Sequence, residues 1–278
     1  MARRPLPTTA VIINTYNWPW ALERALTGLE RQTDRDFEVV IADDGSGPET
    51  RALLDRFLAR GRFPLRHVWQ RDVGFRRALA LNRAVLQTDA ELLCFLDHDT
   101  IPAADWVELY RRRCGPGEFA AGGYCRLTQE ETRRVTIGSI EDGSFEALMT
   151  PERLRHVRFY HWANAWSRLL GRKNRPRLLG LSFAASRELF VKVNGLDLSY
   201  VGWGKEDSDL RTRMRMAGGI GRSVWNRSFA FHLWHPVNPT KERKALNQAR
   251  YDLLRAGGLP WRCENGLDQV TPEEPEAA

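Results

Sequence analysis

Glu91-Leu92-Leu93-Cys94-Phe95-Leu96-Asp97-His98-Asp99 is a short apolar run closed by two carboxylates on either side of a histidine. An unbroken apolar run of this length predicts a strand buried on both faces, with Cys94 as a small buried hydrophobe. Upstream, Thr9 to Ile13 gives a β-branched run, then Asn14-Thr15-Tyr16-Asn17, then Leu22, Ala25, Leu26 and Leu29 at helical spacing. Phe37 to Ala42 repeats the pattern, ends in Asp43-Asp44-Gly45-Ser46, and is followed by a helix carrying Leu53, Leu54, Phe57 and Leu58. Leu65 to Trp69 leads through Asp72-Val73-Gly74-Phe75 into a helix over Arg77 to Leu86. Strands alternating with helices predict an α/β fold with a mostly parallel, Rossmann-like sheet, whose ligands gather at the carboxyl ends of the strands. Beyond Ile101 the alternation breaks, which suggests a smaller second half built on other lines. There Ser182 to Val193 reads as strand then helix, Asp207 to Met216 as a helix, Ser228 to Leu233 as a strand and Lys241 to Ala256 as a terminal helix. The expected organisation is an N-terminal extension over 1–9, a main domain over 10–240 divided near 100, a helical segment over 241–267 and a disordered tail over 268–278.

With 278 residues, 42% of them hydrophobic, the chain can bury a sizeable core and is not a disordered one. Its net charge is +7, and 37 of its 42 basic residues are arginine, which invites a nucleic-acid reading. The excess is modest for this length, and arginine also serves nucleotide diphosphates and anionic membrane surfaces. Cys94, Cys114, Cys125 and Cys263 show neither zinc spacing nor a disulfide framework. No signal-like stretch or membrane span is apparent, so a reducing cytoplasm is expected, and the Asn226-Arg227-Ser228 sequon has no role there.

Two carboxylates at the end of a buried strand are costly unless neutralised, and Asp97 and Asp99 share one face of an extended segment, so a divalent cation is the simplest partner. Asp43-Asp44-Gly45-Ser46 reads either as a tight turn or as an acceptor for a base or ribose. Glu206-Asp207-Ser208-Asp209 reads either as acidic capping of a helix or as the seat of a general base. Trp203, between Gly202 and Gly204, offers an aromatic platform for a sugar. His232 and His235, near a strand end, are candidates to complete an oxygen-rich metal sphere. No glycine-rich dinucleotide or phosphate loop is present, which removes dehydrogenases and P-loop enzymes.

In this order the motifs resemble the family 2 glycosyltransferases of the GT-A fold. Those motifs are Val11 to Asn17, Gln32-Thr33, Val39 to Ser46, Gly74 to Asn82 and Phe95 to Asp99. Gly202 to Asp207 and Phe231 to Pro236 are similar to β-1,4-galactosyltransferases and chondroitin-polymerase-like enzymes. The resemblance implies an inverting, metal-dependent transfer of Gal, GalNAc, Glc or GlcNAc from a UDP-sugar to a glycan or glycolipid hydroxyl, in cell-surface polysaccharide or lipopolysaccharide synthesis. Mn²⁺ or Mg²⁺ is the implied cofactor. Nucleic acid is not an implied partner, and the basic charge suits peripheral contact with the inner face of a membrane. Asn14, Tyr16 and Asp44 would contact uracil and ribose with Asp43 in support, and Thr15 and His98 belong to the same donor site. Arg71 and Arg77 would lie near the diphosphate. Asp97 takes the first and Asp99 the second, metal-binding position of the D-x-D motif. Asp207 matches the catalytic base, Glu206 its neighbour at acceptor or donor sugar, and Trp203 with Gly202 the acceptor loop. His232 matches a further metal ligand, with His235 as the alternate. Asn14 and His98 depart from the commoner residues at their positions, and Tyr124 to Leu179 matches no motif. Within that segment Phe159, Trp162 and Trp166 would either line an acceptor groove or pack in the core. The competing readings are a sugar nucleotidyltransferase and a basic nucleic-acid-binding protein.

Overall fold

The computed structural model describes residues 8–170, 176–225, 227–236 and 241–272. Residues 1–7 of the expected extension, Asn226 of the sequon and 273–278 of the expected tail lie outside them. The first half follows the sequence pattern as β1 (Thr9–Thr15), α1 (Pro19–Glu30), β2 (Glu38–Asp43), α2 (Pro48–Arg60), β3 (Leu65–Trp69), α3 (Arg77–Val85) and β4 (Leu92–Asp97). β1 pairs in parallel with β2 and β4, and β2 with β3. Because successive side chains alternate across a strand, each strand feeds two cores. Val11, Ile13, Val39, Ile41, Cys94 and Leu96 pack with Leu22, Leu26 and Leu54 of α1 and α2. Ala10, Ile12, Val40, Leu93 and Phe95 pack on the other face with Leu81, Ala84 and Val85 of α3. Both faces are dry, which is why these strands show no polar alternation.

The second half adds β5 (Thr100–Pro102), α4 (Trp106–Arg113), β6 (Glu118–Ala121), β7 (Gly123–Arg126), α5 (Gln129–Arg134), α6 (Ile137–Glu141) and α7 (Pro151–Leu169). It continues through β8 (Ser182–Ser186), α8 (Arg187–Lys192), α9 (Glu206–Met216), β9 (Ile220–Ser223), β10 (Phe229–His232) and α10 (Lys241–Arg255). Part of this half joins the sheet of the first. The main sheet runs in the order β3-β2-β1-β4-β8-β6-β9, so β8, β6 and β9 widen it, with β8 antiparallel to both of its neighbours. β6 and β9 are four residues each, too short for a periodicity to show. The Phe95 and Phe183 rings stack at 4.4 Å across the β4–β8 junction, tying the halves into one core.

A small second sheet, β5-β10-β7, stands at the carboxyl end of β4. β10 runs antiparallel to β5, pairing His232 with Thr100, and the Leu233 N–H donates to the Asp99 carbonyl at 2.8 Å. At the chain's other end, Asp268 to Pro272 lie against the body: Arg83 Nε donates to the Thr271 carbonyl at 3.2 Å and Val270 is buried.

Candidate active site

Asp99 lies between β4 and β5, so pairing of β5 with β10 fixes where His232 at the end of β10 and His235 beyond it must lie. The His232 and His235 Nε2 atoms stand 3.6 and 3.3 Å from Asp99 Oδ2. Ligand atoms of all three residues lie within 4.8 Å of one another. The two histidines therefore converge instead of competing for one place. Burial lowers the His232 pKa against the pull of Asp99, favouring the neutral imidazole that a metal needs, and its Nδ1 is buried without a partner. One carboxylate and two imidazoles form a mixed oxygen and nitrogen donor set, which suits Mn²⁺ better than Mg²⁺. Trp18, unnoticed in the sequence, walls the group, its ring 5.7 Å from that of His98 and 6.0 Å from that of His235.

Asp97 is not part of that triad. Its Oδ1 accepts from Arg77 at 2.9 Å, and the same buried guanidinium reaches Glu206 Oε1 at 3.4 Å and the Gly180 carbonyl at 3.0 Å. Arg77 sits at the N-terminal end of α3 and thus joins the D-x-D motif of the first half to the acidic helix start of the second. The other side of the Gly180 segment holds the next carboxylate: Gly180 N–H donates to Asp207 Oδ2 at 3.1 Å, and Ser208 N–H to Asp207 Oδ1 at 2.6 Å. Gly180 carries no sequence signal, because its contribution is made through backbone atoms. Asp207 is half-buried and Glu206 buried, so Asp207 is the more open of the two to a substrate.

The Glu206 carboxyl is pushed up to about 7 by burial and by Asp207, against the opposing effect of Arg77. An acid whose folded value lies above its unfolded value of 4.5 holds its proton more tightly in the native state. Its stabilising contribution is complete below that value and is lost as pH rises through about 7. Between about pH 5 and about pH 7.5 the wild type should lose on the order of 2 kcal/mol that Glu206→Gln does not lose. Thermal unfolding of both proteins across this range checks it, and parallel curves would count against it.

The donor-side loops differ in what they leave free. Asp43 Oδ1 accepts from the Gly45 and Ser46 N–H groups at 3.2 and 2.8 Å, while Oδ2 meets His67 Nε2 at 2.8 Å. With both oxygens occupied, Asp43 shapes the turn. Gly45 has φ +102°, and a Cβ there would meet the Asp72 backbone at 2.6 Å, so only glycine fits. Asp43→Ala is expected to lower unfolding free energy by about 3 kcal/mol, with urea denaturation as the measurement. Asp44 is held by Gln70 at 2.6 Å and by the Arg76 N–H at 2.6 Å, partners the sequence did not point to. Burial raises its pKa against those two bonds. Tyr16 is exposed and its hydroxyl donates to Asp72 at 2.7 Å. The side-chain oxygens of Asn14 and Thr15 are buried without partners, and the Asn14 carbonyl meets His98 Nδ1 at 3.0 Å. Arg71 is exposed on the loop that follows β3.

The Gly202-Trp203-Gly204 loop leads into the Glu206 end of α9. Gly202 N–H donates to the Phe75 carbonyl at 3.1 Å, Trp203 is 53% exposed, and Lys244 Nζ lies 5.3 Å above its ring. Phe159, Trp162 and Trp166 are exposed on α7, which rules out the core-packing alternative for them.

The model of glycosyl transferase family 2 matches residues 10–168. The chain belongs to this family. A second match, to the N-terminal domain of galactosyltransferase, covers residues 161–235 of this family 2 chain, the span that holds Glu206, Asp207, His232 and His235. The chain is 30% identical over 246 residues to validoxylamine A glucosyltransferase of Streptomyces hygroscopicus subsp. jinggangensis, covering 83% of this chain and 56% of that protein. It is 26% identical to polypeptide N-acetylgalactosaminyltransferase 5 of Caenorhabditis elegans, over 90% of this chain and 41% of that one. The family 2 chain thus spans about half the length of the curated relatives it matches. Its fold is shared with a mannosyltransferase of Pyrobaculum calidifontis in complex with GDP-Man and Mn²⁺, with a TM-score of 0.58 and 19% identity over 91% of this chain and 64% of that one. GalNAc-T7 with UDP, GalNAc and Mn²⁺ follows at a TM-score of 0.57 and 16% identity, over 89% of this chain and 48% of that one. The α/β architecture is therefore the GT-A fold.

Proposed function

We propose that the chain transfers a hexose or N-acetylhexosamine from a UDP-sugar to a hydroxyl of a glycan or glycolipid acceptor, with inversion at the anomeric carbon. The observation that carries this reading is the Arg77 bridge. It sets Asp97 of the D-x-D motif, near which a diphosphate would be handled, beside Glu206, the neighbour of Asp207, where a proton would be taken. The solved neighbours bind GDP-Man, or UDP with GalNAc, which supports a nucleotide-sugar donor. In the reaction Asp207 removes the acceptor proton as the acceptor oxygen attacks the anomeric carbon, and the bond from that carbon to the diphosphate oxygen breaks on the opposite face. One displacement inverts the centre. Asp99, His232 and His235 would hold a divalent cation, which supplies Lewis-acid stabilisation of the departing diphosphate. Asp44 and Tyr16 would bound the uridine, and Trp203 would present its face to the acceptor sugar. We place the protein in the cytoplasm, in keeping with four buried free cysteines, and in the assembly of cell-surface polysaccharide.

The test is turnover of a UDP-sugar panel with Mn²⁺ and sugar acceptors, reading UDP release and the product's anomeric configuration. UDP with an inverted product supports the reading. Pyrophosphate release would point to a nucleotidyltransferase, and inertness toward the whole panel would remove the assignment.

A further inference from the structure

α7 presents a ridge that the proposed chemistry does not use. Phe159, Trp162, Trp166 and Leu170 follow one another at helical spacing and are 69%, 62%, 63% and 67% exposed. Leu170 N–H still bonds to the Trp166 carbonyl, so the row is continuous over about 16 Å of helix at 1.5 Å per residue. The opposite face is the packed one: Val157 and Asn164 are buried, and Val157 joins Trp225 and Ala121 in a small core. The aromatic side chains therefore point away from the packed face.

Positive charge lies on both sides of the helix, with Arg155 and Arg158 on the exposed one. Glu152, at the N-terminal end, is the helix's one carboxylate. Arg155 and Arg158 are exposed on the helix, and Arg113 and Arg227 are exposed beside it; none of the four has a carboxylate partner among the described residues. Arg113 and Arg227 lie close enough to His161 of α7 to help burial lower its pKa. His161 and Asn164 also line a cleft of ≈ 590 Å³ with Arg112, Arg113 and Arg222. Exposed aromatic side chains with arginines beside them on one helix face match the headgroup layer of an anionic bilayer, where the rings sit at the boundary and the cations meet phosphate.

We propose that α7 is a monotopic docking element that seats the protein on an anionic lipid surface through Phe159, Trp162 and Trp166, with Arg155 and Arg158 beside them. This goes beyond the sugar-transfer reading and stands or falls separately from it. The test is co-sedimentation of the purified chain with phosphatidylcholine vesicles, with and without phosphatidylglycerol, alongside quenching of tryptophan fluorescence by brominated lipid. The wild type should sediment with the phosphatidylglycerol vesicles and be quenched by the brominated lipid. Partition should fall at least about tenfold in Phe159→Ser/Trp162→Ser/Trp166→Ser and in Arg155→Glu/Arg158→Glu. Both variants should keep the wild-type circular dichroism and UDP binding. Equal sedimentation of wild type and variants overturns the proposal, as does a wild type that ignores both vesicle types. So does a wild type that forms dimers through this face and stays off lipid.

Discussion

Asp207→Asn should lower turnover by at least about 100-fold while leaving UDP-sugar affinity within about threefold of wild type. Asp207 accepts from the Gly180 and Ser208 N–H groups on separate oxygens, and asparagine keeps one acceptor oxygen for one of them, so the side chain stays tethered by a single bond. What it loses is the capacity to take the acceptor's proton. Single-turnover rates set beside donor titrations separate the two quantities. Glu206→Gln should cost less, because Glu206 is buried, tied to Arg77 and half-neutral near pH 7. If instead Asp207→Asn retains most turnover and Glu206→Gln abolishes it, Glu206 is the base and its raised pKa is the device that makes it one.

The second large effect falls on Asp99. Asp99→Asn removes the anionic donor of the Asp99, His232 and His235 group, and electrostatic support of a leaving diphosphate is worth several kcal/mol. About 4 kcal/mol corresponds to roughly a 1,000-fold loss in turnover. Mn²⁺ titrations followed by electron paramagnetic resonance should show weakened binding in Asp99→Asn, His232→Ala and His235→Ala alike, since all three converge. Asp97→Asn should leave Mn²⁺ affinity largely intact and act through Arg77, whose guanidinium would then face Glu206 with one carboxylate fewer. Strong loss of Mn²⁺ binding in Asp97→Asn, with none in His235→Ala, would reverse that division of labour.

Much of the architecture was legible because it is local. β1, β2 and β4 are buried on both faces, and burial of that kind writes itself as unbroken apolar runs ending in polar clusters. The four-residue β6 and β9 are too short to carry such a mark, so the merging of both halves into one sheet was not readable. In the site, the D-x-D carboxylates, Glu206, Asp207 and both histidines were legible from residue type and position. Trp18 and the Gly180 peptide were not, since one resembles any loop aromatic and the other acts through backbone atoms shared by every residue. Asp43 reads equally as a turn residue or as a ligand acceptor, and only the structure shows its two oxygens taken up by its own turn and by His67.

By itself the sequence determined the strand-helix order, the dry sheet and the chemical types assembled at its carboxyl edge. Only the tertiary structure decided their partnerships. Asp97 and Asp99 are two residues apart and share a face in an extended strand, but the strand ends between them. Asp97 stays with Arg77 on the main sheet, while Asp99 opens the small sheet whose β5–β10 pairing delivers His232 and His235. Register between strands more than a hundred residues apart is set by hydrogen bonding and packing across space, and no local pattern encodes it.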